Sequence, residues 1–380
     1  MSKETTEWLN ENTYVGKLAD RAFHAKNNWM IMDTETGGVK PWWHQDTFEH
    51  GYDGFIPVED VMDGLFNWEP VESIVRNMIP CTPDEADGVD GHGNPYRIVV
   101  DEKRKGIIHP TRDVCYGYFG KESYTVHSYS EWLIGKVIKM MDGGGLTSAG
   151  LLQDGGQAYV TIEAPEGFTV GGLDVRPMVV AGTSCNGTMV SKYITSAYAA
   201  ICDNSFNEIM QSAAKALKIK HSSKSMGRFE GDAGAKALGL INQFAEELDG
   251  FLGSMMNADV TDSEFIRIIQ GLVPDVDPKV EAGKVTNQRA LTIMENKRGE
   301  LLNLWKADPR VTKWNGTLFG AFQAANTWNQ HFRSNNENSV ERGMTGILNG
   351  QFAQGDREFW EVVKGVETIS TKGLILVGAQ

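Results

Sequence analysis

The sequence lacks the local motifs that usually mark a catalytic centre. Its four cysteines form no C-x-x-C pair and no histidine doublet lies near them, so a zinc site is not expected. It has no G-x-x-x-x-G-K-[ST] loop, so any work on nucleic acid should be independent of ATP. The eight histidines are isolated, and no Ser/His/Asp or Cys/His grouping follows from their spacing. These absences favour a binding protein over an enzyme, and we expect no cofactor and no metal.

Long apolar segments are also missing. No stretch approaches the roughly 20 apolar residues that span a bilayer. The first residues, 1–14, are polar and acidic, unlike a signal peptide. The scattered thiols of Cys81, Cys115, Cys185 and Cys202 are typical of a reducing compartment. We therefore expect a cytoplasmic protein without membrane contact.

The charges are unevenly distributed along the chain. The formal net charge is −14, which as a whole disfavours a nucleic-acid binder. Residues 1–100 hold 18 acids and 7 bases, whereas residues 101–230 hold 13 acids and 14 bases, and residues 231–380 hold 19 acids and 15 bases. The middle segment is therefore the part of the chain that could tolerate a polyanion.

The residue patterns predict an α+β protein with a central, mostly antiparallel sheet, packed helices and a helical C-terminal region. We divide the chain into an acidic N-terminal arm (1–95), a central α/β sheet domain (96–230) and the helical C-terminal region (231–380). Glycine pairs separate β-type runs, which predicts a meander of strands. The predicted strands are 146–153, 157–164, 175–183 and 188–197, preceded by a hairpin of 96–101 and 106–109.

Helix signals occur on both sides of these strands. Apolar spacing predicts helices at 4–26, 58–66 and 130–141. Ser205 and Glu208 fit a capping box at the start of an apolar stripe that extends to Leu217, so the core would have the order β-β-β-α. Further helices are predicted at 232–256, 261–272 (with Thr261 and Glu264 as another capping box), 286–306, 317–333 and 356–365.

The sharpest candidate site is a basic cluster that begins at the end of this predicted helix. It continues into a Ser/Gly loop, and such a loop offers flexible cations with hydroxyl and backbone donors, which can bind phosphate oxygens without reading bases. Arg176 and Lys192 could extend the cluster, and Tyr193 and Tyr198 could supply ring faces for base stacking. The alternative is a solvated helix end whose lysines complement the helix dipole. The cluster consists of Lys215, Lys218, Lys220, Lys224 and Arg228.

Two acidic motifs offer other chemistry. Asp33 and Glu35 follow an apolar run, as in the first motif of two-metal 3′–5′ exonucleases, but the further carboxylates that this chemistry needs are not found at suitable spacing. The acidic run 84–94 lacks the ligand spacing of a calcium loop, and we interpret it as a hairpin tip.

Several motifs, in their order, resemble a phage- and plasmid-borne family known only as a domain of unknown function. The resemblance covers roughly residues 40–345, and Gln323 and Thr327 depart from the usual Asn and Glu of the family's last motif. It rests on Trp43-His44-Gln45, the run from Pro57 to Val71, Val175-Arg176-Pro177, Cys185-Asn186-Gly187, Ile201 to Ser205, Lys220-His221-Ser222, and Gly320 to Ala324 with Trp328, His331 and Arg333.

Residues 157–228 also resemble the core of the RecT, Red-beta and Erf group of single-strand annealing proteins. This resemblance implies an oligomeric, ATP-independent recombination protein that binds single-stranded DNA without sequence preference. Two alternatives stay open: an interaction protein of a phage or plasmid without a nucleic-acid role, and a metal-dependent exonuclease that uses Asp33 and Glu35.

Overall fold

The computed structural model describes residues 8, 11–16, 51–52, 54–136, 144–163, 167–199, 205–206, 217–222, 248–281, 284–333, 339–366 and 369. Within them the chain is α+β, with mostly antiparallel strands in the N-terminal and central parts and helices mainly in the C-terminal part. The predicted fold class is therefore confirmed.

The elements are numbered along the chain. The strands are β1 (Thr13–Gly16), β2 (Gly51–Tyr52), β3 (Val71–Pro80), β4 (Gly88–Val89), β5 (Pro95–Ile108), β6 (Cys115–Gly120), β7 (Gly145–Leu152), β8 (Gln157–Glu163), β9 (Phe168–Val170), β10 (Leu173–Ser184), β11 (Ser191–Ala199), β12 (Ser205–Phe206), β13 (Leu217–Ile219), β14 (Val280–Glu281) and β15 (Lys284–Val285). The α-helices are α1 (Val58–Gly64), α2 (248–256), α3 (Asp262–Leu272), α4 (Gln288–Ala307), α5 (Pro309–Thr312), α6 (Leu318–Thr327), α7 (Ser339–Leu348) and α8 (Gln351–Gly365). Two π-helical turns lie at Ser130–Gly135 and Trp328–Phe332.

The central sheet has the strand order β12–β11–β10–β8–β7–β1–β2, with β9 beside β10 and β13 beside β11. Neighbouring strands are antiparallel except for β1 and β2. The strands predicted in the region 146–197 are confirmed as β7, β8, β10 and β11. Glycine-rich turns join them because a tight hairpin needs backbone conformations that glycine adopts without strain.

One face of the central sheet packs against α1 and the first π-helical turn. Val61, Leu65, Trp132 and Leu133 each have at most 1% of their surface exposed. They form a core with sheet residues such as Val160. Burial of each such side chain contributes about 1.5–3 kcal/mol, so this face holds the N-terminal segment onto the sheet.

The other face of the sheet packs against α7 and the start of α8. Met344, Leu348 and Phe352 contact sheet residues such as Val180 in a separate core. At Gly182 in β10, an added Cβ would lie 2.5 Å from the side chain of Leu348. A glycine at this position therefore lets the end of α7 approach the sheet closely.

The C-terminal helices form the largest core of the described chain. Phe265 of α3 stacks on Trp305 of α4 with ring centroids 4.4 Å apart, and all residues of α6 are buried. Thr261 and Glu264 form the predicted capping box at α3. The predicted helices 261–272, 286–306, 317–333 and 356–365 are confirmed, whereas α7 has no predicted counterpart.

A second, four-stranded sheet has the order β3–β5–β4, with β6 also beside β5. The predicted hairpin of 96–101 and 106–109 is wrong, because β5 is one strand of 14 residues. Its charged middle forms a bulge, because the pairing with β3 passes from Val100 directly to Lys105, and the Asp101 carboxylate accepts the backbone N–H of Lys103 at 2.9 Å. Glu102 to Arg104 are exposed, and the Nζ of buried Lys105 donates to the Glu72 carboxylate at 2.5 Å. An exposed strand with one compensated cation accommodates this charge run.

Two predicted helices are wrong over part of the chain that the structure describes, although residues 8 and 11 of the first are helical as predicted. Thr13–Gly16, inside the predicted helix 4–26, is strand β1 and pairs with β7. Ser205–Phe206 and Leu217–Ile219, at the two ends of the predicted capped helix, both pair with β11, and residues 207–216 between them lie outside the described residues. Unpaired backbone groups at the edge of β11 outweigh the local helix pattern at these positions. Among the described helices, none combines the length and apolar character needed to cross a bilayer.

Candidate functional site

Strand β13 and the two residues after it, together called the basic strand (217–221), present cations on one side and anchoring side chains on the other. Ile219 and His221 each have 9% of their surface exposed, whereas Lys218 and Lys220 are exposed. Because successive side chains of an extended chain point to opposite sides, the sequence Lys-Ile-Lys-His buries alternate residues and exposes the other two. The two lysines therefore stand on a fixed backbone at the edge of the central sheet.

His221 fixes the end of this basic strand. Its Nδ1 lies 3.2 Å from the carbonyl oxygen of Thr125, and its Nε2 lies 3.1 Å from that of Met189. Its ring stacks on His127, with centroids 4.2 Å apart. Burial lowers the pKa of His221, although the two carbonyl oxygens favour the protonated ring. This contact ties the chain after Lys220 to two separate loops.

Lys192 of β11 lies directly opposite Lys218 in the strand pairing, so the two side chains share one face of the sheet. The Nζ of Lys192 donates to the carbonyl oxygen of Leu348 at 2.7 Å, at the C-terminal end of α7. Burial lowers the pKa of Lys192, and the charge of Lys218 lowers it further. Within the described part of the chain, neither Lys218 nor Lys220 forms an ion pair. Their charges are therefore not compensated by any described carboxylate.

The remaining predicted site residues do not converge on this edge in the described structure. Arg176 lies in β10 six positions from Gly182, which pairs with Lys192. Its backbone is therefore about 20 Å along the strand from that lysine. Three members of the predicted cluster lie outside the described residues: Lys215, Lys224 and Arg228.

A stacking role for Tyr193 does not fit its position. Only 5% of its surface is exposed, and its hydroxyl donates to the carbonyl oxygen of Trp132 at 2.9 Å. Tyr193 faces the core side of β11, opposite to Lys192, because adjacent residues of a strand point to opposite faces. The expectation of an accessible ring is corrected on this ground.

Sequence reasoning missed a buried polar chain beneath the basic strand. The Nδ1 of His127 lies 2.6 Å from the Ser191 hydroxyl oxygen, which lies 2.7 Å from the hydroxyl oxygen of Thr183. The His127 ring stacks on Trp132 with centroids 3.7 Å apart and an interplanar angle of 3°. His127 and His221 are far apart in sequence, so no local spacing could have paired them.

The acidic motifs carry no metal site in the described chain. Asp33 and Glu35 lie outside the described residues, and the described ones contain no group of His, Cys, Asp or Glu side chains that could hold a metal. Asp90 accepts hydrogen bonds from the backbone N–H groups of His92 (2.8 Å) and Asn94 (2.9 Å), and the bonds from Asn94 chiefly lower its pKa. The run 84–94 is the turn region between β3 and β5, as expected for a hairpin tip.

Comparison with known families gives a match over residues 119–349, or 231 of the 380 residues. The family is described as "Domain of unknown function (DUF932)". The chain belongs to the DUF932 family. No curated protein and no solved structure matches it. The DUF932 match extends from the end of β6 to the end of α7, so it contains the basic strand and both stacked histidines but not the β3–β5 sheet.

Proposed function

We propose that this DUF932 protein is a phage-type recombination protein that binds single-stranded DNA and anneals complementary strands without ATP. It would act as a homo-oligomer in the cytoplasm of the host cell. The observation that carries the proposal is the pair of exposed, uncompensated lysines, Lys218 and Lys220, on a strand anchored by His221.

The geometry supports phosphate binding better than base reading. The ammonium groups of Lys218 and Lys220 are long, flexible cations, which bind phosphate oxygens as point charges. Of the two rings proposed for stacking, that of Tyr193 is buried. Contacts restricted to the sugar-phosphate backbone of the DNA would leave its bases free to pair with a second strand, which is what annealing requires.

The charge distribution supports a confined binding surface. The chain as a whole is acidic, with a net charge of −14. A polyanion would therefore be repelled by most of the molecule and attracted only where cations gather. The middle segment, residues 101–230, with 13 acids and 14 bases, is where Lys218 and Lys220 lie.

The test is the salt dependence of DNA binding, measured by fluorescence anisotropy with a labelled oligothymidylate. For single strands, the logarithm of the affinity falls with the logarithm of the salt concentration with a slope of about −0.7 per phosphate contact. The double variant Lys218→Gln/Lys220→Gln should therefore bind more weakly and lose about 1.4 from the size of that slope. An annealing assay with complementary oligonucleotides should show a parallel loss of rate.

The matched control is Lys279→Gln/Lys306→Gln, which removes the same charge from two exposed positions in the C-terminal helical region. It should leave the slope unchanged. Absence of binding by the wild-type protein, or equal slopes for all three proteins, would remove the proposal.

A second candidate function, a phage or plasmid interaction protein without a nucleic-acid role, is favoured by exposed apolar side chains on the β3–β5 sheet. Ile74 is 68% exposed and Met78 is 57% exposed. The anisotropy measurement separates the two functions, because this candidate predicts no affinity for the oligonucleotide.

A further inference from the structure

The β3–β5 hairpin exposes an apolar face. Directly opposite residues of antiparallel strands share a face, so Met78 lies beside Ile98, and the next pair on that face is Val100 with Arg76. A register shift in the pairing with β5 then separates Arg76 from Ile74. Ile74 follows on the same side of β3. The exposed fractions are 68% for Ile74, 57% for Met78, 43% for Val100 and 41% for Ile98. Adjacent exposed apolar side chains of this kind mark an interaction surface.

The two edges of this hairpin differ. The free side of β5 is protected by β4 near the tip, by β6 near the base, and by Asp87, whose carboxylate accepts the backbone N–H of Ile98 at 2.6 Å. On the outer side of β3, Val71–Pro80, no described strand pairs. A long, unprotected edge with apolar side chains is a template for pairing with another strand.

The hairpin carries opposite charges at its two ends. The tip, residues 81–94, has four carboxylates and no Lys or Arg. One cation, Arg97, lies opposite Ile79 near the tip. Near the base, Arg76, Lys103 and Arg104 are exposed, and the carboxylates there are each within reach of a cation: Asp101 of Arg104 (3.9 Å), Glu102 of Lys121 (3.9 Å) and Glu72 of Lys105 (2.5 Å). Arg76 and Lys103 form no described ion pair, so they leave the base with an excess of positive charge. An antiparallel neighbour of identical sequence would place its acidic tip beside this basic base.

We propose that β3 of one molecule pairs, antiparallel and edge to edge, with β3 of a second copy of the chain. A two-fold axis across the paired strands would extend the small sheet through both molecules and bring the two apolar faces side by side. The tip of each copy would then meet the base of its partner, so the dimer contains two tip–base contacts. This interface does not rely on DNA binding, since Lys218 and Lys220 lie on the other sheet.

The first measurement is the mass of the full-length protein, without DNA, by sedimentation over a range of concentrations. A dimer of 41.9 kDa chains, or an assembly of such dimers, is expected. A monomer at every concentration would overturn the proposal. The β3 edge would then be covered by another part of the chain or by a different protein.

A charge exchange locates the interface. The tip variant Asp84→Lys/Glu85→Lys and the base variant Lys103→Glu/Arg104→Glu change exposed side chains, so both should keep the wild-type circular dichroism. Each variant alone would place like charges together twice per dimer, and its dissociation constant should rise at least about tenfold. An equimolar mixture of the two should restore the dimer, because both tip–base contacts then join opposite charges.

The control is Lys279→Glu/Lys306→Glu, which makes the same charge change away from the hairpin and should dimerise like the wild type. If the tip and base variants dimerise as tightly as the wild type, or if their mixture stays dissociated, the proposed interface is wrong.

Discussion

The buried ring of His127 should make the protein lose stability in mild acid. None of its surface is exposed, and it is enclosed by Trp132, Ser191 and His221. Burial lowers the pKa of His127 to about 3, and the nearby charges of His221 and Lys136 act in the same direction. A cation placed there would lose its hydration, and the stacked neighbours could not replace it.

The direction in which the free energy of unfolding changes with pH follows from comparing the folded and the unfolded chain. In the unfolded chain the pKa of a histidine is about 6.5, so below that pH the unfolded state takes up a proton that the folded state excludes. The contribution of His127 is therefore fully present above pH 6.5 and is lost as the pH falls towards 3. The loss is about 1.4 kcal/mol per pH unit, or about 2 kcal/mol at pH 5. Burial also lowers the pKa of His221, which adds a loss of the same sign.

The assay is urea unfolding, followed by tryptophan fluorescence between pH 7.5 and pH 5. His127→Gln should be less stable than the wild type at pH 7.5, but its free energy of unfolding should fall less steeply with pH. The matched control His92→Gln, at an exposed position of the hairpin tip, should keep the wild-type slope. Equal slopes for the wild type and His127→Gln between pH 6.5 and pH 5 would refute the reasoning.

Further predictions concern the helices. Gly320→Ala should destabilise the protein by about 1–3 kcal/mol, because its Cβ would lie 2.2 Å from the Trp314 carbonyl oxygen. Gly299→Ala, in the middle of α4 with no atom within 4 Å of its Cβ, should stabilise by about 0.5–1 kcal/mol. Thr261→Ala should cost about 1 kcal/mol through loss of the α3 cap. Thermal unfolding checks all three, and equal shifts for the two glycine variants would contradict the packing argument.

The sequence was most informative where local physics determines structure. The capping box of Thr261 and Glu264 could be predicted because its hydrogen bonds join residues three positions apart. At the similar pair Ser205 and Glu208, the described residues Ser205 and Phe206 pair with the edge of β11, whereas Glu208 lies outside the described residues. The two patterns look alike in sequence, and the distant strand edge that pairs with Ser205 and Phe206 is not visible in it.

The candidate site was predictable in its charge but not in its geometry. Clustering of Lys218 and Lys220 is visible in the sequence, and cross-strand pairing places Lys192, the predicted extension of the cluster, opposite Lys218. Exclusion of Tyr193 depends on which face of β11 packs inward, and one shift of register would have exposed its ring. The packing of α1 and the π-helical turn against the sheet determines which face of β11 is buried. No local sequence pattern near Tyr193 indicates that face.

A helix dipole was the alternative explanation for the lysines of the basic cluster. In the described structure, the lysine next to a helix end is Lys192, which was predicted only as an extension of that cluster. Lys192 donates to the last turn of α7, where the helix dipole favours a cation. That ammonium group is already bound and partly buried, so it is not available to a ligand. Its charge still raises the electrostatic potential around it. Lys218 lies opposite it, exposed and without a described carboxylate partner. Two neighbouring ammonium groups, one held by a helix end and one free in solvent, repel each other, and an arriving anion relieves that repulsion. A phosphate contact at the edge of β11 and β13 would therefore relieve this repulsion.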